Sequence, residues 1–184
     1  MSTNFSYLKD SREFALFASS CIDAENVLST SPVLSAVASR KALELCVKWI
    51  YSTDNTLRRP REDGLQSLLH NNGFPSLMDH NLWRRFQYIV SNGNKSVHTA
   101  RTLSREEAIL SLNILFDFVQ WIEYCYGQEY TERKFDDKRI PDANAKSKQI
   151  EEKYTTIIQD IQKNADKIVD EKDKQIQELL RINA

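Results

Sequence analysis

Apolar side chains recur at intervals of three and four residues along most of the chain, which is the spacing of one face of an α-helix. The first such stretch runs from a capping Ser11 to about Ser29. A second follows Ser31-Pro32, where a capping hydroxyl precedes proline at the first helical position, and it continues through Tyr51. Both patterns predict amphipathic helices that bury one face.

Further helices are predicted before residue 128. A short one begins near Asp63 and another spans Leu82 to Val90. The most apolar helix begins with a capping box at Ser104-Arg105-Glu106-Glu107 and ends at Gly127. The chain has only four Gly and four Pro, too few for the turns of a protein built from many short strands. The predicted fold class is therefore all-α, a bundle of four to five helices followed by a long charged C-terminal helix.

Charge and aromatic content divide the chain near residue 128. Residues 1–128 carry 26 charged side chains, whereas the 56 residues that follow carry 25 and only three of the 18 aromatic residues. We therefore expect a helical bundle at 1–128, a polar linker at 129–144 and a long helix at 145–184. A weak heptad pattern in the last segment is formed by Ile150, Tyr154, Ile157, Ile161 and Ile168. This helix is either a coiled coil capable of self-association or a solvated single helix.

The overall charge and the cysteines place limits on location and partners. A formal net charge of −1 argues against attachment to nucleic acid or anionic lipid by bulk electrostatics alone. The N-terminal sequence lacks the features of a signal peptide, and no apolar run approaches the roughly 18 residues of a membrane span. Cys21, Cys46 and Cys125 lie within apolar helical patterns, so we expect buried thiols in a cytoplasmic protein.

Candidate catalytic chemistry is sparse. The chain has no complete phosphate-binding loop, zinc motif or nucleophile motif, so no catalytic residue, metal ligand or cofactor is predicted in this segment. His98 is the best acid–base candidate, because it follows Gly93 and Asn94 in a predicted turn before the most apolar helix. A structural interpretation stays open, in which Asn94 and His98 hydrogen-bond helix ends and fix this turn.

A basic loop is the second candidate binding feature. Arg58, Arg59 and Arg61 are nearly consecutive, and Arg85 lies on the next long helix. These arginines are candidate phosphate contacts. Acidic residues such as Glu62 interrupt the series, so a solvated surface is the alternative interpretation.

An ordered series of segments across residues 4–128 resembles the helical N-terminal domain of type I restriction enzyme R subunits and related helicase-nuclease proteins. The matching segments are Asn4-Phe5-Ser6-Tyr7-Leu8, Ala24-Glu25, the run Arg40-Lys41-Ala42-Leu43-Glu44-Leu45-Cys46-Val47-Lys48-Trp49-Ile50-Tyr51, Leu65 with Leu68-Leu69, Leu82-Trp83, Gly93-Asn94 with Val97-His98, Glu107-Ala108, and Leu115-Phe116 with Trp121. Within this series Arg40, Glu44 and Trp49 are the motif residues of the second helix. The resemblance implies a HEPN-like bundle, followed by a charged spacer toward nuclease and motor domains in a longer protein.

The resemblance also implies a function and a set of partners. It implies a non-catalytic assembly or regulatory domain, which contacts the other subunits of a restriction–modification complex and reaches DNA through the full-length protein, with no membrane partner. HEPN ribonucleases use an Arg, a polar residue and a His, and here Gly93 occupies the position of the Arg. Two alternatives remain: a ribonuclease or toxin relative centred on Asn94 and His98, and a nucleic-acid-binding module that uses the Arg58–Arg61 loop.

Overall fold

The computed structural model describes residues 3–98, 103–144 and 146–163, with side chains described for all of these except 95–98. The α-helices that precede residue 127 are α1 (Ala15–Val27), α2 (Pro32–Thr53), α3 (Leu65–His70), α4 (His80–His98) and α5 (Arg105–Tyr126). Residues 146–163 are also helical and are called α6. Short 3-10 turns lie at Ser6–Asp10, Arg12–Phe14, Phe74–Leu77 and Asp137–Arg139. No strand occurs in the described residues, and the predicted all-α fold is confirmed.

The hydrophobic core is organised around α2, which packs against α1, α4 and α5. Leu43, Cys46, Val47 and Ile50 of α2 have no exposed surface, and they follow the three-and-four spacing of the sequence pattern. Burying a large apolar side chain contributes about 1.5–3 kcal/mol. The length of α2 and its apolar faces therefore make it the element on which the bundle assembles.

The helix caps that the sequence indicates are present in the structure. Ser31 Oγ accepts the backbone N–H of Leu34 at 3.2 Å and begins α2. At the start of α5, Ser104 Oγ accepts the N–H of Glu107 at 3.2 Å, and the Glu107 carboxylate accepts the N–H of Ser104 at 2.9 Å. This reciprocal pair is the predicted capping box, and Gly127 follows the last residue of α5 as predicted.

The predicted start of the first helix is wrong. Ser11 makes no side-chain cap; residues Arg12–Phe14 form a 3-10 turn, and α1 begins at Ala15. The indole N–H of Trp49 donates to the Glu13 carbonyl at 2.8 Å, so this carbonyl is engaged by the core. The hydrogen bond between Trp49 and Glu13 therefore takes the place of the first helical turn that the local sequence pattern predicts.

The third helix begins near Asp63, as predicted. Its N-cap position is Gly64 and its first residue is Leu65. The carboxylate of Asp63 lies 3.0 Å from Arg59 Nε and 3.3 Å from Lys48 Nζ, so it forms ion pairs instead of a cap.

The fourth helix is longer than predicted. It spans His80–His98 rather than Leu82 to Val90, so Gly93 and Asn94 lie inside a helix and the predicted turn is wrong. No proline interrupts this stretch. A single internal glycine costs about 1 kcal/mol relative to alanine, which the packing of α4 against α2 and α5 offsets.

Helix α5 is apolar enough to need a partner on most of its surface. It is long and apolar enough to cross a membrane, yet most of its apolar stretch is buried inside the bundle. A centroid distance of 4.5 Å between Phe86 and Phe118 joins it to α4. The apolar residues of α5 thus build the core.

The chain after α5 returns across the bundle instead of leaving it. Ile140, Ile150 and Tyr154 belong to the same buried cluster as the residues of α1 to α5, with exposures of 8%, 6% and 1%. These three side chains anchor a segment that the sequence presents as a polar linker and a solvated helix.

The cysteines differ in environment. Cys21 and Cys46 are buried, as predicted, but Cys125 is exposed. Cys125 follows Tyr124, which is 69% exposed, on the outer face near the end of α5. The prediction of a third buried thiol is wrong because the apolar stripe of α5 does not include position 125.

Candidate functional site

Gly93 is buried where α4 crosses α2. A Cβ atom at this position would lie 2.6 Å from Cβ and 2.7 Å from Cδ of Arg40, far inside van der Waals contact. Because one of these atoms is the first carbon of the Arg40 side chain, rotation of that side chain cannot relieve the contact. The aliphatic stem of Arg40 therefore occupies the space in which any side chain at position 93 would begin.

The other two residues of the predicted turn are placed differently. Asn94 is exposed on α4, one position beyond Gly93. The backbone of His98 ends α4, but its side chain lies outside the described residues, so its predicted acid–base role stays a prediction. Asn92, just before Gly93, is buried and donates to Ser111 Oγ at 3.3 Å. This neighbouring amide, rather than Asn94, links α4 to α5.

Glu44 on α2 is the centre of a row of ion pairs. Its carboxylate lies 2.8 Å from Lys48 Nζ, 3.7 Å from Lys41 Nζ and 3.9 Å from Arg40 Nη1. The motif residues Arg40 and Glu44, four positions apart, are paired, although the Lys48 contact is the shortest. Hydrogen bonding to Glu44 raises the pKa of Lys48, which keeps this lysine protonated.

Trp49, the third motif residue of α2, is a core residue. Only 9% of it is exposed, and its ring meets Phe14, Phe17 and Tyr126 edge-on at centroid distances of 5.5–5.8 Å. Its indole N–H bonds the Glu13 carbonyl, which ties α2 to the turn before α1. Such edge-to-face contacts add about 0.5–1.5 kcal/mol each beyond area burial.

The predicted phosphate contacts do not share one location. Arg58, Arg59 and Arg61 are exposed on the loop between α2 and α3, and Arg59 Nε is paired with Asp63 at 3.0 Å. Arg85 lies on α4 and donates to Asp117 of α5 at 2.8 Å. Arg85 therefore braces two helices, whereas Arg58 and Arg61 make no ion pair within the described residues.

A buried polar cluster that the sequence did not predict surrounds Glu25. We call it the Asn4–Glu25 cluster, formed by Asn4, Phe5, Glu25 and Asp136. The Glu25 carboxylate has no exposed surface and accepts three N–H bonds: from the Asn4 side chain at 2.7 Å, the Asn4 backbone at 2.9 Å and the Phe5 backbone at 3.2 Å. Burial raises the pKa of Glu25, and the bonds from Asn4 act in the opposite direction.

The same asparagine holds the segment after α5. Its Nδ2 donates to the Asp136 carbonyl and its Oδ1 accepts the Asp136 N–H, both at 2.9 Å. The Asn4 side chain thus donates to and accepts from the backbone of one residue, as a neighbouring strand does in a β-sheet. Asn4 thus joins three parts of the chain: the N-terminal turn, α1 through Glu25, and the returning segment.

A second cluster, which we call the Arg133 cluster, fastens this segment to α5. It consists of Tyr7, Gln120, Glu123 and Arg133. Arg133 Nη1 donates to both oxygens of the buried Glu123 at 2.7 and 3.0 Å, and its guanidinium lies 3.9 Å from the centre of the Tyr7 ring. Gln120 accepts the Arg133 N–H at 2.8 Å and donates to Tyr7 Oη at 3.0 Å. Burial raises the pKa of Tyr7, so its hydroxyl stays protonated.

Helix α6 is docked on α1 by apolar and ionic contacts together. Tyr154 is 1% exposed, and its hydroxyl lies near Ser20 and Asp23 of α1. Lys153 Nζ pairs with Asp23 at 2.8 Å. Ile150 and Ile157 of the predicted heptad seam pack on the bundle, whereas Ile161 is 40% exposed. The first half of that seam is therefore packed on the protein's own bundle.

The structure brings together some sequence candidates and separates others. Gly93 and Arg40 are in contact, Trp49 is in the core, and the arginine loop lies apart on the surface. Within the described residues, no three His, Cys, Asp or Glu side chains converge in the manner of a metal site. The Asn4–Glu25 and Arg133 clusters join residues up to 132 positions apart, which no local pattern reveals. Their sequence signal is the presence of Asn4, Tyr7 and Glu25 in the series of family-like segments.

Comparison with known proteins adds no relative: no family model, curated protein or solved structure matches this chain.

Proposed function

We propose that this chain is a HEPN-like, non-catalytic assembly and regulatory domain of a type I restriction R subunit, and that it sets the direction of the charged helix leading toward motor and nuclease domains. The proposal starts from the ordered resemblance over residues 4–128. Residues of the family-like segments make contacts inside the fold, which supports a structural rather than a catalytic role for them. These residues are Asn4, Glu25, Arg40 and Trp49.

The docking of α6 is the observation that carries the proposal. A flexible spacer would let the next domain move freely, because a polar linker behaves as a random coil. Here Asn4 and Arg133 hold the segment after α5, while Tyr154 holds α6 on α1. A helix held in this way fixes the orientation of whatever follows it. A module that positions one part of a subunit relative to another requires such a fixed orientation.

The docking also limits how the charged helix associates with a second copy. Ile150, Tyr154 and Ile157 face the bundle, so a coiled coil would have to begin near Ile161. Residues 164–184 of the predicted helix, with Ile168 of its heptad pattern, lie outside the described residues, so self-association through residues 145–184 stays a prediction.

An exposed aromatic pair is the first surface to probe for subunit contact. Tyr124 and Tyr130 are 69% and 44% exposed, and their rings meet at 5.2 Å. Tyrosine is enriched at protein interfaces, because it offers a large contact area with a polar tip. We expect the double change Tyr124→Ala with Tyr130→Ala to weaken subunit assembly without unfolding the bundle.

The test uses the full-length R subunit and the methyltransferase–specificity complex. Co-purification and ATP-dependent DNA cleavage are measured for the unmodified subunit, for a form lacking residues 1–144, and for the Tyr124→Ala/Tyr130→Ala variant. Leu110→Ala is the matched control, since Leu110 is 43% exposed at the other end of α5. Loss of assembly on deletion supports the proposal. Unchanged assembly and unchanged cleavage without residues 1–144 would contradict it.

A further inference from the structure

Three aromatic rings lie together at the surface where α3 and α4 meet, and none of them takes part in the proposed assembly function. His80 stacks on Trp83 with an interplanar angle of 25°, and His70 meets the same indole edge-on at 77°; both centroid distances are 5.4 Å. The Trp83 N–H donates to the Leu69 carbonyl at 3.0 Å, which fixes the indole. We call this group the His–Trp–His stack.

The stack is fixed on its inner side and open on its outer side. His70 and His80 are both exposed, while Trp83 is half-buried. His70 Nδ1 lies 3.0 Å from the Gln66 carbonyl, which only accepts, so Nδ1 carries the proton. The His80 ring lies offset against the indole, and because His80 is exposed its ring offers surface on which another planar ring can stack.

Three arginines without side-chain partners in the described residues lie on the segments that flank the stack. Asn71, the residue after His70, donates to the Arg58 carbonyl at 2.6 Å, which holds the arginine loop against the end of α3. Arg84 follows Trp83, is exposed, and lines a shallow recess with Asn81. Within the described residues, the guanidinium groups of Arg58, Arg61 and Arg84 form no ion pair or hydrogen bond.

The nearby carboxylates have partners of different kinds. Asp63 pairs with Arg59 and Lys48. Glu62 accepts the Ser67 hydroxyl at 3.1 Å. Asp79 accepts the Asn81 N–H at 2.8 Å at the start of α4, where a negative charge is favoured. Only Asp63 is ion-paired, whereas Glu62 and Asp79 accept neutral donors and keep their negative charge. The three unpaired guanidinium groups of Arg58, Arg61 and Arg84 outnumber these two carboxylates.

We propose that the His–Trp–His stack, together with Arg58, Arg61 and Arg84, binds single-stranded nucleic acid. A base continues the stack on His80, and the guanidinium groups bind the adjacent phosphates. A single strand is the ligand because its bases are free to leave their own stack, whereas the bases of a duplex are not. Since the contacts engage base faces and phosphates, we expect little sequence preference and similar binding of DNA and RNA.

The test measures fluorescence anisotropy of a labelled oligonucleotide of about 12 nucleotides, the order of a single-strand site. Residues 1–184 are titrated onto single-stranded DNA, single-stranded RNA and a DNA duplex at two salt concentrations. We expect the single strands to bind more tightly than the duplex, with affinity falling as salt rises. His80→Ala should weaken binding roughly fivefold or more, since base stacking is worth at least about that factor.

Charge-matched variants separate this surface from general electrostatics. Arg58→Ala with Arg61→Ala should weaken binding and reduce its salt dependence. Arg105→Ala with Lys148→Ala removes the same charge from exposed positions on other elements, and it should leave binding nearly unchanged. Circular dichroism confirms that each variant is folded.

Specific results would overturn the inference. These are no single-strand binding by the unmodified protein, equal binding of duplex and single strand, or equal losses in the two charge-matched variants. Displacement of the oligonucleotide by polyglutamate as effective as by unlabelled oligonucleotide would also overturn it, because it would indicate a site for acidic peptides. The assay contains no restriction subunits, so its outcome is independent of the proposed assembly function.

Discussion

Replacing Asn4 with alanine is the change that most directly weakens the attachment of the segment after α5. Asn4 is 2% exposed, and its side chain makes three hydrogen bonds: one to the Glu25 carboxylate and two to the backbone of Asp136. The backbone N–H groups of Asn4 and Phe5 remain on Glu25 after the change. The substitution therefore removes the link to Asp136 completely and the support of Glu25 in part.

The expected loss of stability follows from these three bonds. A neutral hydrogen bond contributes about 1 kcal/mol net, and one to a charged group about 1.5–3 kcal/mol. Asn4→Ala also leaves the Asp136 backbone groups without their partner. We expect the free energy of unfolding to fall by about 3–5 kcal/mol, a large part of the total for a domain of this size.

Urea denaturation followed by circular dichroism measures this loss. Asn94→Ala is the matched control, since Asn94 is exposed on α4, and it should change stability by no more than about 0.5 kcal/mol. Limited proteolysis should also cleave residues 129–144 faster in Asn4→Ala than in the control. A loss below about 1 kcal/mol for Asn4→Ala, with unchanged proteolysis, would refute the structural role assigned to the Asn4–Glu25 cluster.

Two further changes test local packing and electrostatics. Gly93→Ala should destabilise the protein by about 2 kcal/mol, since overpacking costs up to about 3 kcal/mol and better helix propensity returns about 1 kcal/mol. Gly64→Ala is its control, because nothing lies within 4 Å of the added carbon, and equal denaturation midpoints for the two variants would contradict the close contact at Gly93. Hydrogen bonds from Thr56 and Tyr126 lower the pKa of Asp54, so Tyr126→Phe should move this pKa up toward its ordinary value of about 4. The stabilisation that comes from a lowered pKa is present above that ordinary value and is lost as pH falls through the folded-state pKa. The stability difference between wild type and Tyr126→Phe should therefore shrink on acidification, and an unchanged Asp54 titration by carbon NMR would exclude the contact.

Features set by neighbouring residues could be predicted from the sequence. The caps at Ser31 and Ser104 and the apolar face of α2 depend on contacts within one or two helical turns. The error at Gly93 arose because glycine often ends helices, whereas here it allows α4 to approach Arg40. The need for glycine at position 93 comes from the neighbouring helix α2, so the local sequence pattern does not reveal it.

The return of the chain after α5 could not be predicted for the same physical reason. Residues 129–144 are polar, and polar composition ordinarily indicates a solvated linker. Their attachment depends on Asn4 and Glu123, which satisfy the backbone of Asp136 and the guanidinium of Arg133. In the helix that follows, Tyr154 fits both a coiled-coil seam and a docked face, and only the position of α1 decides between them.

The claim that α6 is held on the bundle is central to the proposed function, and hydrogen exchange of the backbone amides in residues 150–157 tests it most directly. A docked helix exchanges with the protection of the fold it belongs to, whereas an isolated helix of this length is marginal in water. We predict that these amides are protected to nearly the same extent as those of α1, and that Tyr154→Ala removes their protection while leaving α2 and α5 protected. Rapid exchange of residues 150–157 in the unmodified protein, alongside a protected α1, would contradict the account.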